Sequence, residues 1–165
     1  MHFIRKTGPA VLALSFGVAA LPVAAQDTVF LIRHADKELS GTDPGLTPLG
    51  KARAENWGDV LALAGIEAVF TSDARRTRQT GAVIADMLGV DTTAHDRTDT
   101  TGLLDLLSFD HEDDRILIVA HAETIPAILS GLGHDLAPKI PDTVFDNLFI
   151  ASDTAVVHLK VPFVP

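Results

Sequence analysis

The 165-residue chain contains no cysteine. This absence excludes disulfide bonds, thiolate chemistry and a lipid attached through cysteine. Stability must therefore come from packing alone. Hydrophobic residues make up 47% of the chain and charged residues 21%, a balance that can fill a core and that differs from the composition of disordered proteins. The length indicates a single domain.

Basic residues are scarce as well. Lys and Arg number 13 against 22 Asp and Glu, which gives a formal net charge of −9 at pH 7. A surface this acidic repels nucleic acids and anionic membranes. We therefore expect no nucleic-acid partner, and a small substrate rather than a polyanionic polymer.

The apolar run at residues 10–21 is too short to cross a bilayer, which requires about 20 apolar residues. A basic start precedes it, and small residues follow at Val23 and Ala25. This order is typical of a secretory signal peptide that is cleaved after Ala25. We expect residues 1–25 to be removed, which takes two basic residues and no acidic one and changes the net charge from −9 to −11. The mature domain, residues 26–165, is then periplasmic or secreted, without stable membrane insertion.

Strand-like and helix-like segments alternate after the signal, which predicts an α/β fold. The predicted strands are residues 28–33, 68–71, 92–95, 115–120, 147–151 and 155–161. The predicted helices are residues 48–64, 73–88, 100–109 and 123–132. Ser72 is expected to cap the second helix, and Ser152-Asp153 to form the turn of a final hairpin. The expected fold class is a three-layer α/β/α sandwich with a mostly parallel central sheet and an antiparallel edge hairpin.

Two of the apolar strands end in a histidine, His34 and His121. Ligands of open α/β sheets bind outside the carboxyl ends of parallel strands, so the two histidines can face one ligand if their strands are neighbours. Arg33 precedes His34, and Arg76 stands near the start of a helix, where backbone N–H groups favour an anion. Two arginines and two histidines together predict a phosphate pocket, because guanidinium groups match phosphate oxygens.

Each of these residues also has a simpler interpretation when it is taken alone. A histidine at the end of a strand is often a partly buried polar residue, and Arg75, Arg76 and Arg78 could form a solvated helix face. Only their joint placement favours the phosphate pocket.

Four segments, in order, resemble the histidine phosphatase superfamily, whose members include phosphoglycerate mutases and histidine acid phosphatases. Residues 33–37, Arg-His-Ala-Asp-Lys, resemble its Arg-His-Gly or Arg-His-Ala-Glu-Lys signature. Residues 46–54 resemble its Leu-Thr-x-x-Gly-x-x-Arg/Gln-Ala helix start, and residues 71–80 its Ser-Ser-Pro-x-x-Arg-Ala-x-Gln-Thr segment. Residues 118–124 resemble the strand that delivers the family's second active-site histidine.

The resemblance implies a metal-independent phosphatase with no cofactor. His34 would attack phosphorus and form a phosphohistidine that water hydrolyses, while Arg33, Arg76 and His121 hold the phosphate oxygens. The nucleophile must be neutral, and we expect the arginine charges to lower its pKa. The substrate would be a small phosphorylated molecule, phosphohistidine or a phosphorylated peptide. Mutase activity is not expected, because the chain left after export is about 140 residues and has little room for insertions that enclose a sugar phosphate.

Two carboxylates are candidates for the proton donor of this reaction. The mutase branch carries a glutamate after the third strand, where this chain has Asp96, Asp99 and Asp105. We take Asp99 and Glu123 as the candidates for the general acid. Both could equally be surface carboxylates.

Two other functions fit the same residues. A metallohydrolase could use His34, Asp36 and His121 as ligands of zinc or another divalent ion, although neighbouring arginines would oppose a cation. A non-catalytic periplasmic protein could keep the phosphate pocket without turnover.

Overall fold

The computed structural model describes residues 28–165. The predicted signal peptide, residues 1–25, lies outside this part of the chain. Within residues 28–165, no helix is long and apolar enough to span a bilayer.

Six strands form one sheet. They are β1 (Thr28–Arg33), β2 (Ala68–Ser72), β3 (Asp91–His95), β4 (Arg115–Ala120), β5 (Asn147–Ser152) and β6 (Ala155–Lys160). Their order across the sheet is β3-β2-β4-β1-β5-β6. The first four in this order pair in parallel, whereas β5 runs antiparallel to β1, and β6 antiparallel to β5.

Four helices cover the two faces of the sheet. They are α1 (Pro48–Leu61), α2 (Arg75–Leu88), α3 (Thr100–Asp110) and α4 (Ile125–Gly131). Trp57 and Ile84 pack with Leu117 in one core, while Leu107 and Ile128 belong to a second core on the other face. The apolar residues of β4 are buried on both faces, as in other covered parallel sheets. The predicted fold class, a mostly parallel α/β/α sandwich with an antiparallel edge hairpin, is confirmed.

The second helix begins later than predicted, at Arg75, and Ser72 does not cap it. Ser72 remains extended because it is the last residue of β2 and lies opposite His95 of β3. The cap comes instead from a distant loop, since the backbone N–H of Arg75 donates to both carboxylate oxygens of Asp43 at 2.9 and 3.2 Å.

Other boundaries also differ from the prediction, most of them by one residue. The first helix ends at Leu61, and Gly65, with φ +69°, closes the turn that follows it. The fourth helix spans only Ile125–Gly131, because residues 121–124 form a turn. The final hairpin turns at residues 153–154, since Ser152 still pairs with Ala155.

The parallel register brings the two histidines together. Arg33 lies opposite Ala120 on the neighbouring strand, so His34 and His121 both follow directly at the same sheet edge. The backbone N–H of His34 donates to Ala120 O at 2.9 Å. The residues that end β1, β2 and β4 therefore form the floor of one crevice.

Candidate active site

His34 is only 2% exposed. Its Nδ1 lies 2.8 Å from the carbonyl oxygen of Ala35. A carbonyl oxygen only accepts, so Nδ1 carries the proton and Nε2 keeps its lone pair. Burial lowers the pKa of His34 to about 3, and the charge of Arg33 acts in the same direction. The ring is therefore neutral at physiological pH, as a nucleophile must be.

His121 is 1% exposed, and its ring centroid lies 5.4 Å from that of His34. Its Nδ1 is 3.2 Å from Nη2 of Arg76, and its Nε2 is 2.7 Å from the hydroxyl of Ser72. A guanidinium only donates, so Nδ1 is the acceptor and Nε2 carries the proton. Burial, followed by the charge of Arg76, lowers the pKa of His121 to about 4.

Arg76 projects from the first turn of α2 toward His121. Besides its contact with that ring, its Nη1 lies 3.9 Å from a carboxylate oxygen of Asp43. The side chain is mostly buried, and its Nε has no partner within the described residues. Arg76 therefore lies beside His121, and its Nε–H group is available to donate a hydrogen bond.

Arg33 points to the opposite side of the crevice and holds a loop there. Its Nη1 donates to the carbonyl oxygens of Pro141 and Val144 at 2.9 and 3.1 Å. The guanidinium stacks 4.5 Å above the ring of Phe145, and Nη2 lies 3.6 Å from Asp142. These contact residues lie in the loop formed by residues 138–146, which we call the 138–146 loop. Burial lowers the pKa of Arg33, with Asp142 opposing the shift, but an arginine remains charged.

The two arginines share one feature. In each, Nε is buried and lacks a hydrogen-bond partner in the described part of the chain. A buried donor without a partner costs about 1–3 kcal/mol. Phosphate oxygens accept strongly from guanidinium N–H groups and would remove this cost. The site therefore fits an oxyanion, next to a neutral imidazole nitrogen.

Sequence reasoning missed three buried hydroxyl groups that support these side chains. Ser72 contacts His121, and Thr77 lies 2.7 Å from the Ser72 hydroxyl. Thr80 accepts from the backbone N–H of Ala35 at 3.0 Å and donates to the carbonyl oxygen of Arg76 at 2.8 Å. The available signal was the i, i+3 spacing of Thr77 and Thr80, which places both hydroxyls on one face of the arginine-rich helix.

The two candidate acids lie in different environments. Asp99 is exposed and caps α3, accepting from the backbone N–H of Gly102 at 2.8 Å. Glu123 is also exposed, but its carboxylate partly opposes the lowering of the pKa that burial causes in both His121 and Arg33. It lines a cleft of about 400 Å³ together with residues 138–142. Of the two, Glu123 is the carboxylate whose charge acts on His121 and Arg33.

The alternative metal site is not assembled. The carboxylate of Asp36 is bound by Nε of Arg53 at 2.6 Å. Within residues 28–165, no group of three histidines or carboxylates is arranged to hold a metal ion. His34, Asp36 and His121 therefore do not form the ligand set that a metallohydrolase would need.

Comparison with known proteins agrees with this geometry. Residues 29–99 match the family model of the histidine phosphatase superfamily, branch 1. The SixA protein of Agrobacterium tumefaciens, named for phosphohistidine phosphatase activity, has the same fold with a TM-score of 0.61 and 22% identity over 81% of this chain and 96% of that one. Over residues 29–99 the chain is therefore similar to the histidine phosphatase superfamily, branch 1, and it shares the fold of these phosphatases.

Other solved superfamily structures are similar. A mycobacterial glucosyl-3-phosphoglycerate phosphatase matches with a TM-score of 0.60 and 15% identity over 75% of this chain and 89% of that chain. The SixA protein of Nakamurella multipartitia matches at 26% identity and a TM-score of 0.53, over 78% of this chain and 86% of that one. No curated protein sequence matches this chain. The family-model match includes His34 and Arg76 but ends before His121.

Proposed function

We propose that this protein is a histidine phosphatase that hydrolyses phosphate monoesters or phosphohistidine without a metal, through a phosphohistidine on His34. One observation carries the proposal. The buried, neutral ring of His34 donates through Nδ1 to a backbone carbonyl, which leaves the lone pair of Nε2 available beside Arg33 and Arg76. The match of residues 29–99 to the histidine phosphatase superfamily and the phosphatases that share the fold support the same reaction class.

The proposed reaction has two steps. Nε2 of His34 forms a bond to phosphorus while the bond from phosphorus to the leaving group breaks, and water then displaces the histidine to release inorganic phosphate. Arg33, Arg76 and His121 neutralise the phosphate oxygens, which is the main requirement of phosphoryl transfer. A bound dianion favours the charged form of His121, so its Nδ1 would gain a proton and donate to the phosphate.

We assign the proton donor of the first step to Glu123. The support is that its charge acts on both His121 and Arg33 and that it lines a cleft beside residues 138–142. Asp99 is less suited because its carboxylate already caps α3. A phosphohistidine substrate would depend less on this acid, because imidazole, with a pKa of about 6.5, leaves more readily than an alkoxide.

A non-catalytic phosphate-binding protein is the second candidate. The observation that favours it is that, within residues 28–165, no carboxylate is hydrogen-bonded to either His34 or His121. Such a protein would bind phosphate or vanadate without turning over any ester.

The proposal is tested by turnover and by trapping. We expect the full-length protein to hydrolyse p-nitrophenyl phosphate or a member of a phosphate-ester panel, with and without EDTA. Quenching without acid should give a species heavier by one phosphoryl group in intact mass spectrometry. His34→Ala should abolish both signals, whereas His158→Ala, on the edge strand β6, should change neither. Turnover retained by His34→Ala would contradict the mechanism, and binding of vanadate without turnover would favour the second candidate.

We also propose that the protein is exported. The support is the order of basic, apolar and small residues before Gln26. Expression of the full-length chain, cell fractionation and N-terminal sequencing should find it outside the cytoplasm, starting at Gln26.

A further inference from the structure

The hydroxyl of Ser72 lies at the centre of a buried hydrogen-bond network at the end of β2. Its Oγ is 2.7 Å from Nε2 of His121 and 2.7 Å from Oγ1 of Thr77, and it accepts from the backbone N–H of Ala74 at 3.3 Å. Ser72, Thr77 and His121 are all buried. A buried network of this kind favours the arrangement in which every donor finds an acceptor.

The proton positions in this network follow from its ends. Arg76 can only donate, so Nδ1 of His121 accepts and its Nε2–H donates to Ser72. Ser72 then donates its own proton to Thr77, whose hydroxyl donates to the carbonyl oxygen of Ala74 at 2.7 Å. The opposite tautomer would place the Nδ1 proton against an N–H group of Arg76. In that tautomer Ser72 would have to donate to Nε2 of His121, and Thr77 would have to donate to Ser72.

We infer that Ser72 is a positioning residue for the phosphatase reaction. By holding Nε2–H of His121, it keeps Nδ1 directed at Arg76 when the ring is neutral and at the phosphate oxygens when the ring is charged. The contact with Ser72 persists when His121 gains its second proton, because Nε2 donates in both states. This inference rests on the proposed function, but the ring geometry that it describes does not require turnover.

The role of Ser72 can be separated from its place in the fold. Pairing of Ser72 with His95 of β3 uses the backbone, so removing the hydroxyl leaves the strand intact. Ser72→Ala should therefore fold, and Ser72→Thr retains a hydroxyl at the same carbon. Thr77→Val removes the next hydroxyl while keeping the shape of the side chain. Ser108→Ala is a matched control, because this exposed serine of α3 donates only to the carbonyl oxygen of Leu104.

The experiment combines ring 15N NMR of the full-length protein with steady-state kinetics. In the wild-type protein and in Ser108→Ala, we expect Nε2 of His121 to be protonated and Nδ1 to be unprotonated near pH 7. Ser72→Ala should show a mixture of the two tautomers and a kcat lower by about 3–10-fold, which is the loss of one buried hydrogen bond. Ser72→Thr should restore both readouts, and Thr77→Val should shift them in the same direction as Ser72→Ala but less.

A wild-type ring pattern in Ser72→Ala would overturn the inference, whatever the activity of the variant. Equal kinetic losses in Ser72→Ala and Ser108→Ala would also overturn it. If the wild-type protein has no phosphatase activity, the proposed function fails. The tautomer shift in Ser72→Ala then still decides whether this hydroxyl positions the ring.

Discussion

The two sides of the crevice present equivalent arginines but support them in different ways. On the α2 side, Arg76 projects from a helix and contacts His121, whose other nitrogen is fixed by the buried Ser72. On the loop side, Arg33 donates to two backbone carbonyls of the 138–146 loop and stacks on Phe145. On the α2 side, neighbouring residues therefore hold the functional side chains in place. On the loop side, Arg33 itself holds the loop in place. Two arginines of equal charge in one crevice can therefore differ in how they are supported: one is held by its neighbours, and the other holds a loop.

The largest effect is expected on the α2 side, for Arg76→Ala. Removing one preorganised donor to a phosphoryl group lowers kcat by about 10²–10³-fold. The rest of that side is held by Ser72, Thr77 and Thr80, so the crevice should otherwise be unchanged. Steady-state kinetics on an ester substrate and amide hydrogen exchange measure the two quantities. Faster exchange in the 138–146 loop of this variant would show that the two sides of the crevice are not independent.

Arg33→Lys should give a smaller loss of turnover but a wider structural effect. Lysine retains the charge, yet it cannot donate to Pro141 and Val144 in a planar fork while it stacks on Phe145. We expect kcat/KM to fall by about 10–100-fold, the value of one or two charge-assisted hydrogen bonds. We also expect faster hydrogen exchange across residues 138–146. Unchanged exchange in this loop would show that the loop does not depend on Arg33.

The α2 side is also the side that could be predicted from the sequence. His121 and Arg76 both follow strand ends within recognisable segments, and the parallel order of the strands is enough to bring them together. Ser72 was misassigned as a helix cap because serine before a helix is a local signal. Its actual role depends on the pairing of β2 with β3 and on a partner 49 residues away.

The loop side could not be predicted from the sequence. Arg33 contacts Pro141 and Val144 across more than 100 residues, and backbone carbonyls carry no sequence signal. The same limitation applies to Gly50, where an added Cβ would collide with the backbone of Asp36. Local patterns predicted the strands, the fold class and the two arginines and two histidines of the candidate site, whereas long-range backbone contacts decide how those residues are held.

The two histidines, one on each side, predict how stability depends on pH. Their folded-state pKa values are lowered to about 3 for His34 and about 4 for His121, so below pH 6.5 the unfolded chain binds more protons than the folded one. Their contribution is fully present above pH 6.5 and is lost as the pH falls through about 4 for His121 and about 3 for His34. The slope is at most about 1.4 kcal/mol per pH unit for each ring. Urea unfolding between pH 7 and 5 measures this slope.

Single-residue variants measure how much each histidine contributes to this pH dependence of stability. His34→Asn and His121→Asn should each remove one share of the pH dependence, while His158→Asn should leave it in place. If neither of the first two variants changes the slope, then the burial of these rings is not what makes the fold sensitive to acid. A change in only one of them would show that one side alone carries the linkage.

The smallest effect is expected for Asp142→Asn, on the loop side. The Asp142 side chain is 97% exposed and lies 3.6 Å from Arg33, and exposed ion pairs contribute about 0–1 kcal/mol. We expect kcat/KM to change by less than about twofold and the unfolding free energy by less than about 0.5 kcal/mol. Hydrogen exchange in the 138–146 loop should match the wild-type protein. If this variant released the loop as Arg33→Lys does, the exposed carboxylate, rather than the two carbonyl contacts and Phe145, would be the group that holds Arg33 in place.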